Sequence, residues 1–335
     1  MRTHYKKLKK IVSSFQNSKI LVVGDLVLDR FWFGTVQRIS REAPVPIVKL
    51  LKNTIAPGCG ANCASNLASL GAKPSIFGIV GKDKEGYDLI NLLKKMGGET
   101  KFLLQEENFS TPTKTRILAG SLHGPKQQLV RIDSGEEPKF NKGTMSKLEE
   151  RLKEAIKKVS VTIISDYGYG LFDNKNIFEI IKKVGIVGVD SRFSLMEFRG
   201  ATTATPNEEE FEKATKKKIS ASLNDFEEEA ERLRNSLELE ALLVTRGSKG
   251  VALFERGKRA IHIGIVGKNE VVDVTGAGDT VIATYILSLA SGADFVEAAN
   301  IANIAGGIVV QKPGTATVSQ KELVTTIEKW GKNQI

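Results

Sequence analysis

The stretch around which the chain is organised is Val271-Val272-Asp273-Val274-Thr275-Gly276-Ala277-Gly278-Asp279-Thr280. Its β-branched residues predict a strand, its glycines predict a turn, and the apolar residues that follow recur at helical spacing until Ser291-Gly292. Backbone N–H groups of a glycine turn at a helix N-terminus can approach an anion closely, and the helix dipole adds positive potential. Asp279 stands at the mouth of this anion hole, where a carboxylate can take a proton from a hydroxyl that attacks a phosphate. The simpler alternative is that Asp279 only caps the helix.

The composition is that of a globular protein with an anionic ligand. The chain has 335 residues, of which 41% are hydrophobic and 26% are charged, and its length suits one large α/β unit. Its formal net charge of +10 favours an anionic partner. The two dense basic runs, at 6–10 and 216–218, lack the interleaved aromatic residues of a nucleic-acid groove. We therefore expect solvated basic faces and no nucleic-acid partner.

Cysteine usage and hydropathy exclude several other classes. Cys59 and Cys63 are the only cysteines, and the three histidines lie far from them in the sequence, so neither a disulfide framework nor a zinc site is indicated. We expect both cysteines to be small buried residues. No apolar run reaches the length of a membrane span, and Lys19 and Asp25 interrupt the apolar stretch after the basic N-terminus. We expect no membrane association and a cytoplasmic location.

Strand and helix patterns alternate along the chain, which predicts a doubly wound, mostly parallel sheet with helices on both faces. Buried strands are predicted at 20–23, 76–80, 161–165 and 187–190. Ligands of such sheets bind at the carboxyl ends of the strands. Asp25 and Asp29 follow the first of these strands and can accept hydrogen bonds from sugar hydroxyls, although an Asp after a strand is more often a turn residue. Asp166 follows the strand at 161–165.

Two β-rich insertions, at about 31–56 and 111–133, interrupt this alternation and predict a small sheet that covers a site. Pro44 and Pro46 favour an edge position for the first insertion. Basic side chains of these insertions can hold a phosphate on the substrate, or they can simply face solvent. They are Arg38, Arg41, Lys114, Arg116 and Arg131.

Three further segments carry candidate binding residues. Residues 57–62 open a helix of small residues that lets a ligand sit close, and Asn62 there can both donate and accept hydrogen bonds. The acidic start of a helix at 205–210 is favoured by the helix dipole alone, although Asn207 and Glu210 can instead hold magnesium through water. Residues 242–251 predict a strand, a glycine turn and a returning strand, which is either a plain hairpin or a nucleotide contact.

The string Asp273-Val274-Thr275-Gly276-Ala277-Gly278-Asp279-Thr280 resembles the signature of the ribokinase-like (PfkB) carbohydrate kinases, and the likeness extends from Gly24-Asp25 to about Val318. The resemblance implies one ribokinase-like α/β domain over 1–335, with a β-sheet lid that is also used for homodimerisation. It implies phosphoryl transfer from ATP with Mg²⁺ and the use of K⁺. In this reading Asp279 is the catalytic base, and the amides of Gly276, Ala277 and Gly278 hold the transferring phosphoryl group.

The residue patterns and this resemblance together assign the remaining candidates to three groups. The substrate-binding residues are Asp25, Asp29, Gly58, Gly60, Asn62, Lys114, Arg116, Arg131 and Asp166. The nucleotide-binding residues are Asn207, Thr245, Gly247, Gly250 and Asn303. Asn207 and Glu210 serve Mg²⁺ through water, and a monovalent cation is held by Asp273, Thr275 and Gly314.

Within the family, the likeness is greatest to kinases that phosphorylate D-glycero-D-manno-heptose 7-phosphate at C1, a precursor step of ADP-heptose and the lipopolysaccharide core. Three departures stand out. The usual Gly-Gly pair reads Gly58-Cys59, Tyr169 stands where these kinases carry Lys, and Ser191-Arg192 replaces Pro-Lys. They leave open a kinase for another sugar, sugar phosphate or nucleoside, and also a non-catalytic sugar- or nucleotide-binding regulator. A regulator has no need of a base, so Asp279 together with Asn207 and Glu210 argues against the second alternative.

Overall fold

The computed structural model describes residues 2–121, 124, 126–135, 140–219, 222–266 and 271–333. In these ranges the chain forms a mostly parallel sheet of nine strands and a separate sheet of four strands. Helices cover both faces of the larger sheet, which confirms the predicted fold class. Residues 122, 123 and 125 of the second predicted insertion lie outside the described residues.

The strands and helices follow the predicted alternation. The strands are β1 (Ile20–Gly24), β2 (Leu26–Ile39), β3 (Pro46–Cys59), β4 (Ser75–Gly81), β5 (Leu103–Glu106), β6 (Thr113–Gly120), β7 (Gln127–Ser134), β8 (Val161–Asp166), β9 (Ile186–Ser191), β10 (Thr203–Ala204), β11 (Ala241–Thr245), β12 (Val251–Glu255) and β13 (Ile261–Ile263). The helices are α1 (Arg2–Ser13), α2 (Gly60–Ser69), α3 (Lys84–Lys95), α4 (Lys142–Ile156), α5 (Lys175–Ile181), α6 (Glu208–Thr215), α7 (Leu223–Ser236), α8 (Ala277–Ala290), α9 (Phe295–Val309) and α10 (Gln320–Asn333). Within the described ranges, none of these helices combines the length and the apolar content needed to span a bilayer.

The order of the larger sheet explains where a site can form. Its strands follow the order β13-β12-β11-β10-β9-β8-β1-β4-β5, with β1 parallel to both β4 and β8. The chain therefore builds the sheet outward in both directions from β1, and ligands of such sheets bind beyond the carboxyl ends of the strands at that switch point. At the far edge β11 and β12 are antiparallel, which confirms the predicted hairpin over 242–251.

Residues of the central strands alternate between two apolar cores, because successive side chains of a strand point to opposite faces. Ile20 and Val22 share one core with residues of α1, α2, α3, α8, α9 and α10. Leu21 and Val23 share the other core with residues of α4, α5, α6 and α7. Burial on both faces is the reason why these strands read as continuous apolar runs.

The smaller sheet, which we call the lid, has the order β3-β2-β6-β7, so β3 lies at an edge as Pro44 and Pro46 predicted. Strand β2 begins at Leu26, directly after Asp25, so a single residue connects the lid to the carboxyl end of β1. The predicted helix start at Pro57 is wrong, because β3 continues to Cys59 and α2 begins at Gly60. The cause is pairing across strands, which places Cys59 opposite Leu26.

The predicted strand before the glycine turn, at 271–274, is also wrong. Its three valines are 59%, 61% and 67% exposed. The backbone N–H groups of Val272 and Asp273 both donate to the carbonyl of Val310, beyond α9, and not to a neighbouring strand. β-branched residues favour a strand only where a partner strand can accept them. The helix predicted after the turn is confirmed as α8, which ends before Ser291-Gly292.

Candidate active site

Asp279 lies in the first turn of α8 and is buried, with 3% of its surface exposed. Its Oδ2 accepts a hydrogen bond from Asn62 Nδ2 at 2.7 Å, and its Oδ1 accepts one from the Tyr167 hydroxyl at 3.2 Å. Burial raises the pKa of this carboxyl to about 7, although both hydrogen bonds act to lower it. Gly276 is the N-cap residue of α8, so the alternative that Asp279 only caps the helix is wrong.

A ladder of buried polar side chains joins α2 to α8 and holds Asp279 in place. Asn66 lies one turn after Asn62 and donates through Nδ2 to the Asn62 carbonyl at 3.0 Å. Its Oδ1 accepts a hydrogen bond from the Thr280 hydroxyl at 2.9 Å. Sequence reasoning named Asn62 and missed Asn66, although an i,i+4 spacing places both on one helix face. The ladder fixes the position of the Asp279 carboxylate relative to the glycine turn.

Two more buried carboxylates lie at the ends of β1 and β8. Asp25 Oδ2 accepts hydrogen bonds from the backbone N–H groups of Tyr167 and Tyr169, at 2.8 and 3.1 Å. Asp166 Oδ2 accepts one from the Ser191 hydroxyl at 2.6 Å. Burial raises the pKa of Asp25 to about 7 and also raises the pKa of Asp166. Asp166 Oδ1 also accepts a hydrogen bond from the Gly168 N–H at 3.0 Å, so part of the hydrogen-bonding capacity of both carboxylates orders the turn after β8.

Only some of the basic side chains of the lid lie near the buried carboxylates Asp25, Asp166 and Asp279. Arg116 Nη1 donates to Asp29 Oδ1 at 2.6 Å, and these side chains are only 11% and 4% exposed. Arg116 is therefore engaged by a carboxylate of the protein. Arg131 is exposed on β7, and Arg38 and Arg41 are exposed at the far end of the lid.

Lys114 is the lid cation that lies beside the site. It is 9% exposed, its Nζ donates to Cys59 Sγ at 3.4 Å, and it lies 5.4 and 5.7 Å from the ring centroids of Tyr167 and Tyr169. Burial lowers the pKa of this amine, but the nearby Cys59, Tyr169 and Asp29 outweigh burial, and the net effect raises the pKa. Lys114 therefore carries a full positive charge at neutral pH.

The segment that joins β3 to α2 is tightly fitted to its surroundings. A Cβ at Gly58 would lie 2.9 Å from Asp29 Oδ2, and one at Gly60 would lie 3.1 Å from the Asp25 carbonyl. Both glycines thus make room for neighbouring protein atoms. Cys59 between them has φ 54° and ψ −129°, a conformation that glycine adopts readily and that costs other residues about 1–3 kcal/mol. Both cysteines are free and buried, as predicted.

A cavity of about 210 Å³ opens on the other side of the glycine turn. It combines backbone of the turn with three carboxylates and two cations, and its lining residues are Tyr167, Asp190, Arg192, Thr205, Asn207, Glu209, Glu210, Lys213, Thr245, Gly276 and Gly278. Asp190 was not among the sequence candidates. It is 8% exposed, and burial together with the neighbouring Glu210 raises its pKa well above the usual range. Its place at the carboxyl end of β9, next to β8, was the available signal.

Asn207 and Glu210 form a reciprocal cap at the start of α6. Asn207 Oδ1 accepts a hydrogen bond from the Glu210 N–H, and Glu210 Oε2 accepts one from the Asn207 N–H, both at 2.9 Å. Thr245 pairs with Asn207 through an isolated parallel bridge. The other nucleotide candidates are not among the residues that line the cavity: Gly247 is at a turn with φ 54°, Gly250 has φ 82°, and Asn303 donates to the Gly264 carbonyl at 2.7 Å.

The structure brings the three cation candidates together behind the glycine turn. Asp273 accepts hydrogen bonds from the N–H groups of Thr275 and Gly314, each at 2.9 Å. Partial burial raises the pKa of Asp273, but these hydrogen bonds outweigh it, and the net effect lowers the pKa. Among the described residues, no group of three or more His, Cys, Asp or Glu side chains is arranged as a metal cage.

Comparison with known proteins identifies the family. Residues 17–322 match the model of the pfkB family of carbohydrate kinases. The chain belongs to the pfkB family. It is therefore a carbohydrate kinase. The glycine turn that resembles the family signature lies at the start of α8, with Asp279 in the first turn of that helix.

Relatives and solved structures agree with this assignment. The kinase is 42% identical over 318 residues to the bifunctional protein HldE of Haemophilus influenzae, which covers 94% of this chain and 64% of that protein. It is 41% identical over 323 residues to the HldE of Shewanella piezotolerans, with 96% and 65% covered. The chain thus spans about two thirds of the length of these curated relatives.

The fold of the kinase is that of ribokinase-like enzymes. Escherichia coli phosphofructokinase-2 in complex with potassium superposes with a TM-score of 0.76 at 18% identity, and 94% of this chain and 99% of that chain are covered. Arabidopsis thaliana ribokinase complexed with ribose and ATP gives a TM-score of 0.73 at 20% identity, with 93% and 99% covered. The predicted ribokinase-like architecture is confirmed.

The ion pair at the base of the lid provides a stability prediction. Replacing Arg116→Met leaves the Asp29 carboxylate buried without its cation, so we expect the free energy of unfolding to fall by about 3 kcal/mol. The double variant Asp29→Asn/Arg116→Met should recover most of this loss. Urea denaturation at pH 7.5 measures both, with Arg131→Met as the exposed control. A single variant as stable as the parent would contradict the prediction.

Proposed function

We propose that this kinase transfers the γ-phosphate of ATP to the C1 hydroxyl of D-glycero-D-manno-heptose 7-phosphate, giving the 1,7-bisphosphate. The observation that carries the proposal is the position of Asp279. This buried carboxylate, with a pKa of about 7, accepts a hydrogen bond from the hydroxyl of Tyr167, which lines the cavity beside the glycine turn and donates its N–H to Asp25. The segments that resemble heptose 7-phosphate kinases, and the identity of 42% to an HldE protein, support the substrate.

In the proposed mechanism, each residue acts on a defined atom. Asp279 accepts the proton of the C1 hydroxyl while that oxygen bonds to the γ-phosphorus and ADP leaves. The N–H groups of Gly276 and Gly278 stabilise the charge on the transferring group, whereas the N–H of Ala277, the third predicted donor, already donates to the Val274 carbonyl at 3.2 Å. A positioned base contributes about 10²–10⁴-fold and anion-hole donors about 10²–10³-fold to such a step. Asp25, Asn62 and Asp166 orient the sugar.

The carboxylates of the cavity fit Mg²⁺. Asp190 is buried, and no donor among the described residues hydrogen-bonds to its carboxylate. Mg²⁺ takes one or two protein carboxylates and fills its remaining positions with water and substrate phosphates, so a three-ligand cage is not required. We propose Asp190 as a ligand, with Asn207 and Glu210 acting through water. When bound there, Mg²⁺ neutralises negative charge on the phosphates of ATP.

The group formed by Asp273, Thr275 and Gly314 fits a monovalent cation of the potassium type. The Asp273 carboxylate supplies the negative charge, and its lowered pKa keeps it ionised. Because each of its oxygens already accepts a backbone N–H, we propose that carbonyl oxygens near Gly314 supply the other ligands. Such a cation would steady the backbone that leads into the glycine turn. Activity in potassium and in tetramethylammonium salts tests this part of the proposal.

The pKa of Asp279 gives a prediction for the pH dependence. The ionised carboxylate is the base, so kcat/KM should be full above the folded pKa of about 7 and should fall about tenfold per pH unit below it. Protonation of Asp25, whose pKa is also about 7, should steepen the loss. Rates at saturating magnesium and ATP between pH 5 and 9 measure the profile. Equal kcat/KM at pH 5.5 and pH 8 would contradict Asp279 as the base.

A second candidate substrate is favoured by one observation. The Lys114 ammonium lies over the ring of Tyr169, at a position where the resemblance to heptose kinases leads us to expect a Lys. A kinase for another sugar phosphate, or for a sugar or nucleoside, is therefore the alternative. ADP release with magnesium and potassium, across phosphorylated and unphosphorylated sugars, separates the two. Preferential turnover of the heptose phosphate supports the proposal, and no turnover of any sugar favours a binding regulator.

We further propose that the lid pairs with the lid of a second copy. The outer strands β3 and β7, together with the end of β2 and the segment that joins it to β3, expose large apolar side chains at more than a third of their surface, and these are Ile39, Val45, Leu50, Leu51, Leu129, Val130 and Ile132. Exposed apolar side chains in this number on one small sheet are typical of a protein interface. Light scattering at micromolar concentration should give the mass of a dimer, and a monomer would overturn this proposal.

A further inference from the structure

The residue that joins β3 to α2 is held in a backbone conformation that its side chain disfavours. Cys59 has φ 54° and ψ −129°, where a glycine would be relaxed. Strain of this kind persists where the surroundings enforce it, and it is concentrated at functional sites. The side chain of Cys59 therefore has to be explained by what it touches.

The contact that Cys59 makes is with a buried cation. Lys114 Nζ donates to Cys59 Sγ at 3.4 Å, and the rings of Tyr167 and Tyr169 form further walls of this site. The thiol has a pKa raised by burial, so it stays neutral and acts as a weak acceptor. Cys59 thus fixes the direction of the ammonium group without neutralising it.

Lys114 has no carboxylate partner at ion-pair distance among the described residues. Asp29 is engaged by Arg116 at 2.6 Å and acts on Lys114 only at longer range. Asp279 is likewise a longer-range neighbour, because the hydrogen bonds to its side chain come from Asn62 and Tyr167. Burying an ammonium group without a close counter-ion is energetically costly, and an anionic group on a ligand would supply that counter-ion.

We propose that Cys59 is a specificity-determining positioning residue, whose thiol holds the Lys114 ammonium between Tyr167 and Tyr169 so that this cation binds an anionic group of the acceptor sugar. The acceptor class is thereby a sugar phosphate and not a neutral sugar. This inference rests on the proposed function, and it concerns the same site. It assigns the selection for phosphate to Lys114 and not to Arg116, which is neutralised within the protein.

The experiment compares kcat/KM for D-glycero-D-manno-heptose 7-phosphate with kcat/KM for the unphosphorylated heptose. The Lys114→Met variant should lose roughly tenfold to a hundredfold in the ratio of the two values, as expected for a lost charge-assisted hydrogen bond. Cys59→Gly should lose about three- to tenfold in the ratio, because the ammonium is no longer held in one place. Cys59→Ser, which keeps an acceptor at this position, should retain most of the ratio.

Two controls separate positioning from a merely structural role. Cys59→Gly removes the backbone strain, so its melting temperature should equal or exceed that of the parent while its selectivity falls. Cys63→Ala removes the other buried thiol, one helical turn further along, and should leave the ratio unchanged. A Cys59→Gly enzyme with the parental ratio would overturn the inference, whatever its stability.

A second measurement tests the inference even if the proposed heptose kinase activity is absent. If the parent turns over neither heptose, the inference is decided by the melting temperature in the presence of hexose 6-phosphates and of the corresponding neutral hexoses. A rise with the phosphates alone, lost in Cys59→Gly and in Lys114→Met, supports the inference. An equal rise in parent and variants, or no rise in the parent, overturns it.

Discussion

Replacing Asp279→Asn is expected to lower kcat at least roughly a hundredfold and to leave the Kd for ATP nearly unchanged. An amide cannot accept the proton of the attacking hydroxyl, but it keeps the size of the carboxyl group and can still accept the hydrogen bond from Asn62. The cavity on the other side of the glycine turn keeps all its lining side chains. Steady-state kinetics and a titration with a non-hydrolysable ATP analogue measure the two quantities.

Stability provides the control for Asp279→Asn. A carboxyl whose folded pKa is raised to about 7 is protonated in the folded state and ionised in the unfolded state between about pH 4 and pH 7, so stability falls as pH rises through this window. The Asn variant lacks this loss, and its melting temperature at pH 8 should be no lower than that of the parent. Activity retained within about threefold would remove Asp279 as the base.

The second large effect is expected for Gly276→Ala. Gly276 has φ 76°, and a Cβ there would lie 2.5 Å from Asn62 Nδ2. The new methyl group would displace the Asn62 amide from Asp279, and the turn would have to move its N–H groups. We expect kcat to fall roughly a hundredfold, as for the loss of an anion-hole donor, and stability to fall by about 1–3 kcal/mol.

The matched control for Gly276→Ala lies at the other end of the same helix. Gly292 has φ 86°, and a Cβ there would meet no atom within 4 Å. Gly292→Ala should therefore show a similar backbone cost in urea denaturation with kcat unchanged. If Gly276→Ala also keeps its kcat, the proposed role of the glycine turn in phosphoryl transfer is wrong.

Local signals explain which parts of the site could be predicted. The start and end of α8 follow from glycines at the two ends of an apolar run, and both are properties of neighbouring residues. The prediction of a strand at 271–274 failed, because a strand needs a partner strand and the local sequence does not show whether one is present. Asn66 and Asp190 were missed although helical spacing and strand order point to them. Tyr167 was missed because its contact with Asp279 joins two distant segments.

For the charged residues of the lid, too, contacts between distant segments could not be predicted from the sequence. Sequence reasoning treated Lys114, Arg116 and Arg131 as equivalent candidates for a phosphate. In the lid, β2 and β6 pair so that Asp29 lies opposite Lys114, and Arg116, two residues further on the same face, reaches the carboxylate. Pairing between strands that are more than eighty residues apart therefore decides which cation is neutralised.

The fold class, the family and the position of the glycine turn with Asp279 follow from the amino-acid sequence, because they depend on periodicity and on a contiguous string of residues. The environment of each side chain follows only from the folded structure. Folding buried Asp279 and Asp25, engaged Arg116 with Asp29, and left Lys114 against the strained Cys59. The physical reason is that burial and charge pairing act through space, between segments that the folded sheets bring together.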